Sequence, residues 1–96
     1  MTKSNLKKQK ELSFYYIYIL ISKKDGKFYV GFTENLKNRF TQHQNGECES
    51  TAPRRPFELI FYEAYRNKYD ALRREKYFKT SKGKTALKTM LKEYLK

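Results

Sequence analysis

Residues 14–33 read FYYIYILISKKDGKFYVGFT, and this stretch decides the fold. β-branched and aromatic residues fill 14–22 and again 27–33, the composition that pleated strands favour. Between them stands Asp25-Gly26, a dipeptide that turns one strand back on another. With those two residues as the loop, Lys24 faces Lys27 and Ser22 faces Tyr29. Alternation then sorts the ribbon into two faces. One carries Ile17, Ile19, Ile21, Phe28, Val30 and Phe32, is wholly apolar, and is the core side. The other carries Tyr16, Tyr18, Leu20, Tyr29, Gly31 and Thr33. Three tyrosines and a glycine do not make a plain solvent face. In this register Gly31 lies diagonal to Tyr18 and leaves space where a backbone phosphate can lie against the sheet.

Working outward, residues 34–44 read as a helix with an acid in its first turn, ending near Asn45-Gly46. Leu36 and Phe40 mark its buried stripe, while Arg39 and His43, also four apart, share a neighbouring one. A loop at 47–56 sets Arg54-Arg55 between Pro53 and Pro56. Residues 57–65 (FELIFYEAY) form a third strand. A helix follows at 70–80 and turns at Ser81, Lys82 and Gly83. The last helix carries Leu87, Met90, Leu91, Tyr94 and Leu95 on one stripe, with Lys84, Lys88, Lys92 and Lys96 opposite. The order β-β-α-β-α-α predicts a small three-stranded antiparallel sheet flanked by helices, an α+β fold.

A chain of 96 residues is one domain with one core, here 14–96 behind a basic, flexible tail at 1–13. Its apolar run at 14–21 is too short to span a membrane, and no signal peptide is visible, so the expected compartment is the cytoplasm. A single Cys48 excludes a disulfide framework and a cysteine-based zinc site. The net charge is +12, divided as +3 over residues 1–13, +2 over 14–70 and +7 over 71–96. Such a field selects polyanions, nucleic acid before an acidic membrane surface.

Glu75 stands out. It shares a helical stripe with Ala71, Leu72 and Phe78, while Arg73, Arg74, Lys76 and Lys79 surround it. A carboxylate on an apolar face needs a partner. Lys79 at i+4 is one candidate and a divalent cation is another. If the first helix folds back beside the hairpin, Tyr18, Tyr29, Arg39, His43 and Glu75 converge. A tyrosine hydroxyl near cations sheds its proton more readily than its ordinary value of ~10 suggests, and arginine offers a fork for a phosphate. These are the parts of metal-assisted phosphodiester hydrolysis.

Tyr16-Ile17-Tyr18, Tyr29-Val30-Gly31, Arg39 and His43 at that spacing resemble the GIY-YIG nuclease domain. Ala71-Leu72-Arg73-Arg74-Glu75-Lys76 resembles that family's helix bearing a metal-binding glutamate. Thr51, Arg54-Arg55-Pro56 and the strand after them resemble its small single-domain bacterial branch. The resemblance covers residues 14 to about 90. It implies a metal-dependent endonuclease cutting DNA, with RNA also open as a substrate. Tyr18 would be the general base, with Tyr29 holding the arrangement, Arg39 stabilising charge on the scissile phosphate and His43 assisting. Glu75 would bind Mg²⁺ or Mn²⁺. Gly31, Arg54, Arg55, Arg74, Lys76 and Lys79 are the expected nucleic-acid contacts. Two departures stand: Tyr16 replaces the family's first glycine, as in the small branch, and no Asn follows Asn67, where larger members place one after the glutamate. The alternative is a nucleic-acid-binding module that keeps the fold and cuts nothing; a third is a basic adaptor for protein or ribosome. No second specificity domain is visible, so tight site-specific recognition is not expected; the expected protein is a monomer with no membrane partner.

Overall fold

A computed structural model describes residues 13–96; the tail expected at 1–13 lies outside the described residues except for Ser13. Three strands, β1 (Tyr15–Ser22), β2 (Phe28–Thr33) and β3 (Phe57–Tyr65), form one antiparallel sheet in the order β2-β1-β3. The most apolar strand is therefore central, where both of its faces can be covered. The helices are α1 (Leu36–Gln44), α2 (Lys68–Phe78) and α3 (Ser81–Met90), with a 3-10 turn at Ala52–Arg54. The α+β class and element order are those expected.

The hairpin is wider than a two-residue turn. Ile17 pairs with Phe32, Tyr18 with Gly31 and Ile21 with Phe28, and Ser22 N–H donates to Lys27 O at 3.0 Å. Side chains stabilise the longer loop. Ser22 Oγ accepts from the N–H groups of Lys24 and Asp25, both at 3.1 Å, and donates to Arg54 O at 2.6 Å. Gly26, at φ +72°, closes the loop in a conformation that glycine adopts without strain. The pairing shifts by two residues, an even number, so the sorting of side chains between faces survives. Gly31 moves from diagonal to directly opposite Tyr18.

Both faces are core, against the expectation of one. Ile17, Ile19 and Val30 pack with Ala71 and Phe78 of α2 and Leu87 of α3. On the other side Tyr18, Leu20 and Phe57 pack with Tyr29, Leu59, and Leu36 and Phe40 of α1. A bulge in the β1–β3 pairing after Ile19 sets Leu59 against Leu20 and Phe61 against Ile19, feeding both layers.

The helix ends follow their caps. Asn35 caps α1 by accepting from Asn38 N–H at 3.0 Å, so Glu34 precedes the helix and no acid occupies its first turn. Asn67 caps α2, which starts and ends two residues before the expected span. Gly83 lies inside α3 and makes no turn: a β-carbon there would enter the Tyr77 carbonyl of α2, so its absence lets the two helices approach. α3 stops at Met90, leaving Met90 and Tyr94 exposed, so only the first part of the last apolar stripe is buried.

Candidate active site

α1 is pinned beside the hairpin by its last residue. The Gln44 amide donates to Phe57 O and accepts from Phe57 N–H, each at 2.9 Å, tying the end of α1 to the start of β3. One residue earlier His43 turns beneath the sheet and is 1% exposed. Its Nε2 lies 2.8 Å from Tyr18 Oη and its Nδ1 lies 2.8 Å from Thr51 Oγ1. Thr51 donates its own hydroxyl proton to Cys48 O at 3.3 Å, so its oxygen faces His43 as an acceptor. The proton on the imidazole therefore sits on Nδ1, and Nε2 accepts from the Tyr18 hydroxyl. The result is a buried chain from Tyr18 through His43 and Thr51 to the backbone.

The aromatic packing fixes this chain sideways. Tyr29 meets the His43 ring edge-on at 5.1 Å between centroids, and Phe57 meets it from another side at 6.0 Å. Tyr18 lies 6.3 Å from Tyr29. A β-carbon on Gly31 would fall inside the Tyr18 ring. The glycine is needed for the tyrosine to cross β2, and the space expected there for a phosphate is filled by the ring. Tyr18 is 2% exposed, not set over an open basin.

Electrostatics run against one expectation. Burial is the largest influence on Tyr18 and, with Tyr29, holds its hydroxyl protonated well above the ordinary phenol range; the Arg39 cation pulls the other way and loses. Burial and then Arg39 push His43 below its ordinary value, keeping it neutral and able to accept a proton. Arg39 is half-buried on α1 and lines a hollow of about 340 Å³ with Thr33, Asn38 and Gln42. Its Nη1 donates to Cys48 Sγ at 4.0 Å, and no carboxylate pairs with it among the described residues.

Glu75 stands on α2, which packs on the opposite face of the sheet from Tyr18 and His43, so the expected convergence does not bring it into contact with them. Its charge acts on the Tyr18 hydroxyl, while its carboxylate pairs with Lys79 Nζ at 3.1 Å. Among the described residues no three His, Cys, Asp or Glu side chains form a metal-binding group. Tyr18, Tyr29, Arg39 and His43 thus form one cluster, with Glu75 in electrostatic range.

Several expected nucleic-acid contacts have structural employment. Arg54 Nε binds Asp25 at 2.9 Å, and its Nη2 donates to Lys27 O and Phe28 O, which clamps the hairpin loop. Arg74 grips Glu63 through Nε and Nη2 at 2.9 and 3.2 Å and lies over the Phe78 ring. Lys79 is occupied by Glu75, and Arg55 Nε donates to Ala52 O at 2.8 Å. Lys76 is exposed and enters no ion pair among the described residues. Thr51 and Gln44 were not among the expected site residues. Their roles depend on contacts across 8 and 13 residues, which no local pattern announces.

The family model described as the GIY-YIG catalytic domain matches residues 14–89. The chain belongs to the GIY-YIG family. Its relatives include a UPF0213 protein of Lacticaseibacillus paracasei, 42% identical over 68% of this chain and 73% of that one. Another is a UPF0213 protein of Limosilactobacillus reuteri, 44% identical over 68% and 70%. The solution NMR structure of a UPF0213 protein from Bacillus halodurans is 32% identical, covers 80% of this chain and 84% of its own, and superposes with a TM-score of 0.52. In GIY-YIG terms the first motif is Tyr16-Ile17-Tyr18 and the second Tyr29-Val30-Gly31. The β1–β2 register sets Tyr18 of one directly across from Gly31 of the other.

Proposed function

We propose that the chain is a metal-dependent endonuclease that hydrolyses phosphodiester bonds in DNA. The observation that carries this reading is the 2.8 Å hydrogen bond from the Tyr18 hydroxyl to His43 Nε2, with Nδ1 held by Thr51 at 2.8 Å. A buried phenol that stays protonated cannot itself take a proton from water. Passing its own proton to a neutral imidazole as it receives one removes that obstacle. In the proposed step a water gives a proton to Tyr18 Oη, Tyr18 gives its proton to His43 Nε2, and the hydroxide forms a bond to phosphorus as the bond to the leaving oxygen breaks. The resulting imidazolium keeps its Nδ1–H on Thr51. Arg39, without a carboxylate partner among the described residues, meets the charge gathering on the phosphate oxygens. Tyr29 makes no hydrogen bond through its hydroxyl among the described residues, leaving it for the substrate.

A single carboxylate, with no cluster of His, Cys, Asp or Glu ligands among the described residues, suits a hard cation that keeps most of its waters and shares substrate oxygens, as Mg²⁺ or Mn²⁺ does. Glu75 would hold it on release from Lys79. When bound, the ion neutralises charge on the phosphate and the leaving oxygen.

Incubating plasmid and branched DNA with the protein and Mg²⁺ or Mn²⁺, beside a Glu75→Gln variant, tests the reading. Metal-dependent cutting that the variant loses is the expected result. Binding without cutting under either ion would replace it with the non-catalytic binding module.

A further inference from the structure

A groove of about 350 Å³ opens between the hairpin loop and α3, away from the Tyr18 cluster. Gly26 and Phe28 line it together with Lys27, Arg54, Lys84 and Lys88. Lys84 and Lys88 are four apart on one helix, an arrangement in which like charges repel. Both are exposed, as is Lys27, and no carboxylate lies within ion-pair distance of the three among the described residues. Arg54 forms the rigid wall. Asp25 and two carbonyls hold its Nε and Nη2, and its Nη1 has no partner among the described residues. Three lysines without a carboxylate partner among the described residues, beside a guanidinium already paired with Asp25, gather positive charge that an anion relieves.

The position of the groove narrows the choice of anion. It opens at the loop end of β2 on the face of the sheet that α2 and α3 cover, away from the Tyr18 face, so only an extended polyanion can occupy both places. Helices that bind membranes set exposed apolar residues beside their lysines, whereas Leu87, next to Lys88, is fully buried in the core and the exposed residues flanking the two lysines are Thr85 and Thr89. We propose that the groove is a second backbone-binding site, in which Lys27, Lys84 and Lys88 hold substrate phosphates away from the bond to be cut. This deepens the nucleic-acid reading above and rests on it.

The test is binding of a short labelled DNA duplex in EDTA, where nothing is cut, at a series of salt concentrations. The full chain is compared with Lys84→Gln/Lys88→Gln and with a control of equal charge change on other surfaces, Lys37→Gln/Lys68→Gln. Loss of two phosphate contacts lowers the log–log salt slope by about 1.8; the groove variant shows that fall and the control a smaller one. A parental slope in the groove variant, or the same fall in the control, overturns the proposal and leaves the nucleic-acid reading intact. A parent that binds and never cuts with metal removes the nuclease and supports the groove. A parent that binds no nucleic acid removes both. Vesicles containing phosphatidylserine form the last arm: loss of vesicle binding with an unchanged duplex slope would hand the groove to a lipid surface.

Discussion

The two faces of β1 are buried to the same depth but built differently. Toward α2 and α3, Ile17 and Ile19 meet Val30, Ala71, Phe78 and Leu87, with no polar side-chain atom among them. Toward α1, Tyr18 meets His43, which meets Thr51, and all three are at most 2% exposed. Burying hydroxyls and an imidazole is unfavourable unless each finds a partner. Here each does, and no buried side-chain nitrogen or oxygen among the described residues lacks one. The first face makes the sheet stable. The second uses comparable burial to hold Tyr18 protonated and His43 neutral, the starting state that proton transfer between them needs. On the proposed reading, packing and chemistry are separated by one residue along a single strand.

The sharpest way to break this division is to damage each face in turn. Tyr18→Phe keeps the ring and removes the proton path, so cleavage should fall by roughly 10²–10⁴. It also strands His43 Nε2 in the interior, at a cost of about 1–3 kcal/mol of stability. Ile19→Ala opens a cavity on the other face and should cost about 2–5 kcal/mol, while the fraction that remains folded cuts with the parent's pH dependence. Denaturant melts with single-turnover rates read both. A folded Tyr18→Phe protein cutting at the parental rate would take the chemistry away from this face. Loss of cleavage in folded Ile19→Ala would show that the faces are not separable.

A smaller effect sharpens the comparison within the polar face. Thr51→Val preserves shape and removes the acceptor for Nδ1–H. The imidazole is then free to adopt the other tautomer, in which Nε2 donates to Tyr18 and cannot accept from it. Cleavage should drop on the order of 10- to 100-fold, the usual effect of losing a group that orients another, and Thr51→Ser should restore most of it. A merely structural threonine would show no such rescue in rate at equal stability.

How legible the two faces were follows from the range of the contacts that make them. Period-2 alternation in residues 14–33 sorted the side chains correctly even though the hairpin loop is longer than Asp25-Gly26 alone, because a shift of two leaves the faces unchanged. The same alternation marked Tyr18 and Tyr29, and helical spacing set Arg39 and His43 side by side. Depth was not legible. Whether Tyr18 stood over a basin or under a helix depended on the Gln44–Phe57 tie that brings α1 down. Arg54 read as a loop arginine open to phosphate, since its partner Asp25 is 29 residues away. The capping asparagines, Asn35 and Asn67, lie just outside the apolar periodicity from which the helix ends were read.

The smallest expected effect is also the cleanest to observe, because His43 is the single histidine of the chain. Its ring protons report one titration by NMR. Burial is the larger cause of its lowered pKa and the Arg39 cation the lesser. Arg39→Gln should therefore raise the midpoint while leaving it below the ordinary value of 6.5. The linkage has a definite sign. The unfolded chain takes up this proton at higher pH than the folded one, so the contribution of neutral His43 to stability is complete above pH 6.5. It declines as the pH falls below that value, until folded His43 also titrates. The decline should be shallower in Arg39→Gln, since its folded and unfolded values lie closer together. The acid limb of cleavage should move upward with the midpoint, although the maximal rate falls for want of the guanidinium at the phosphate. A midpoint that stays put or drops in Arg39→Gln would separate Arg39 from the imidazole and leave burial alone to keep His43 neutral.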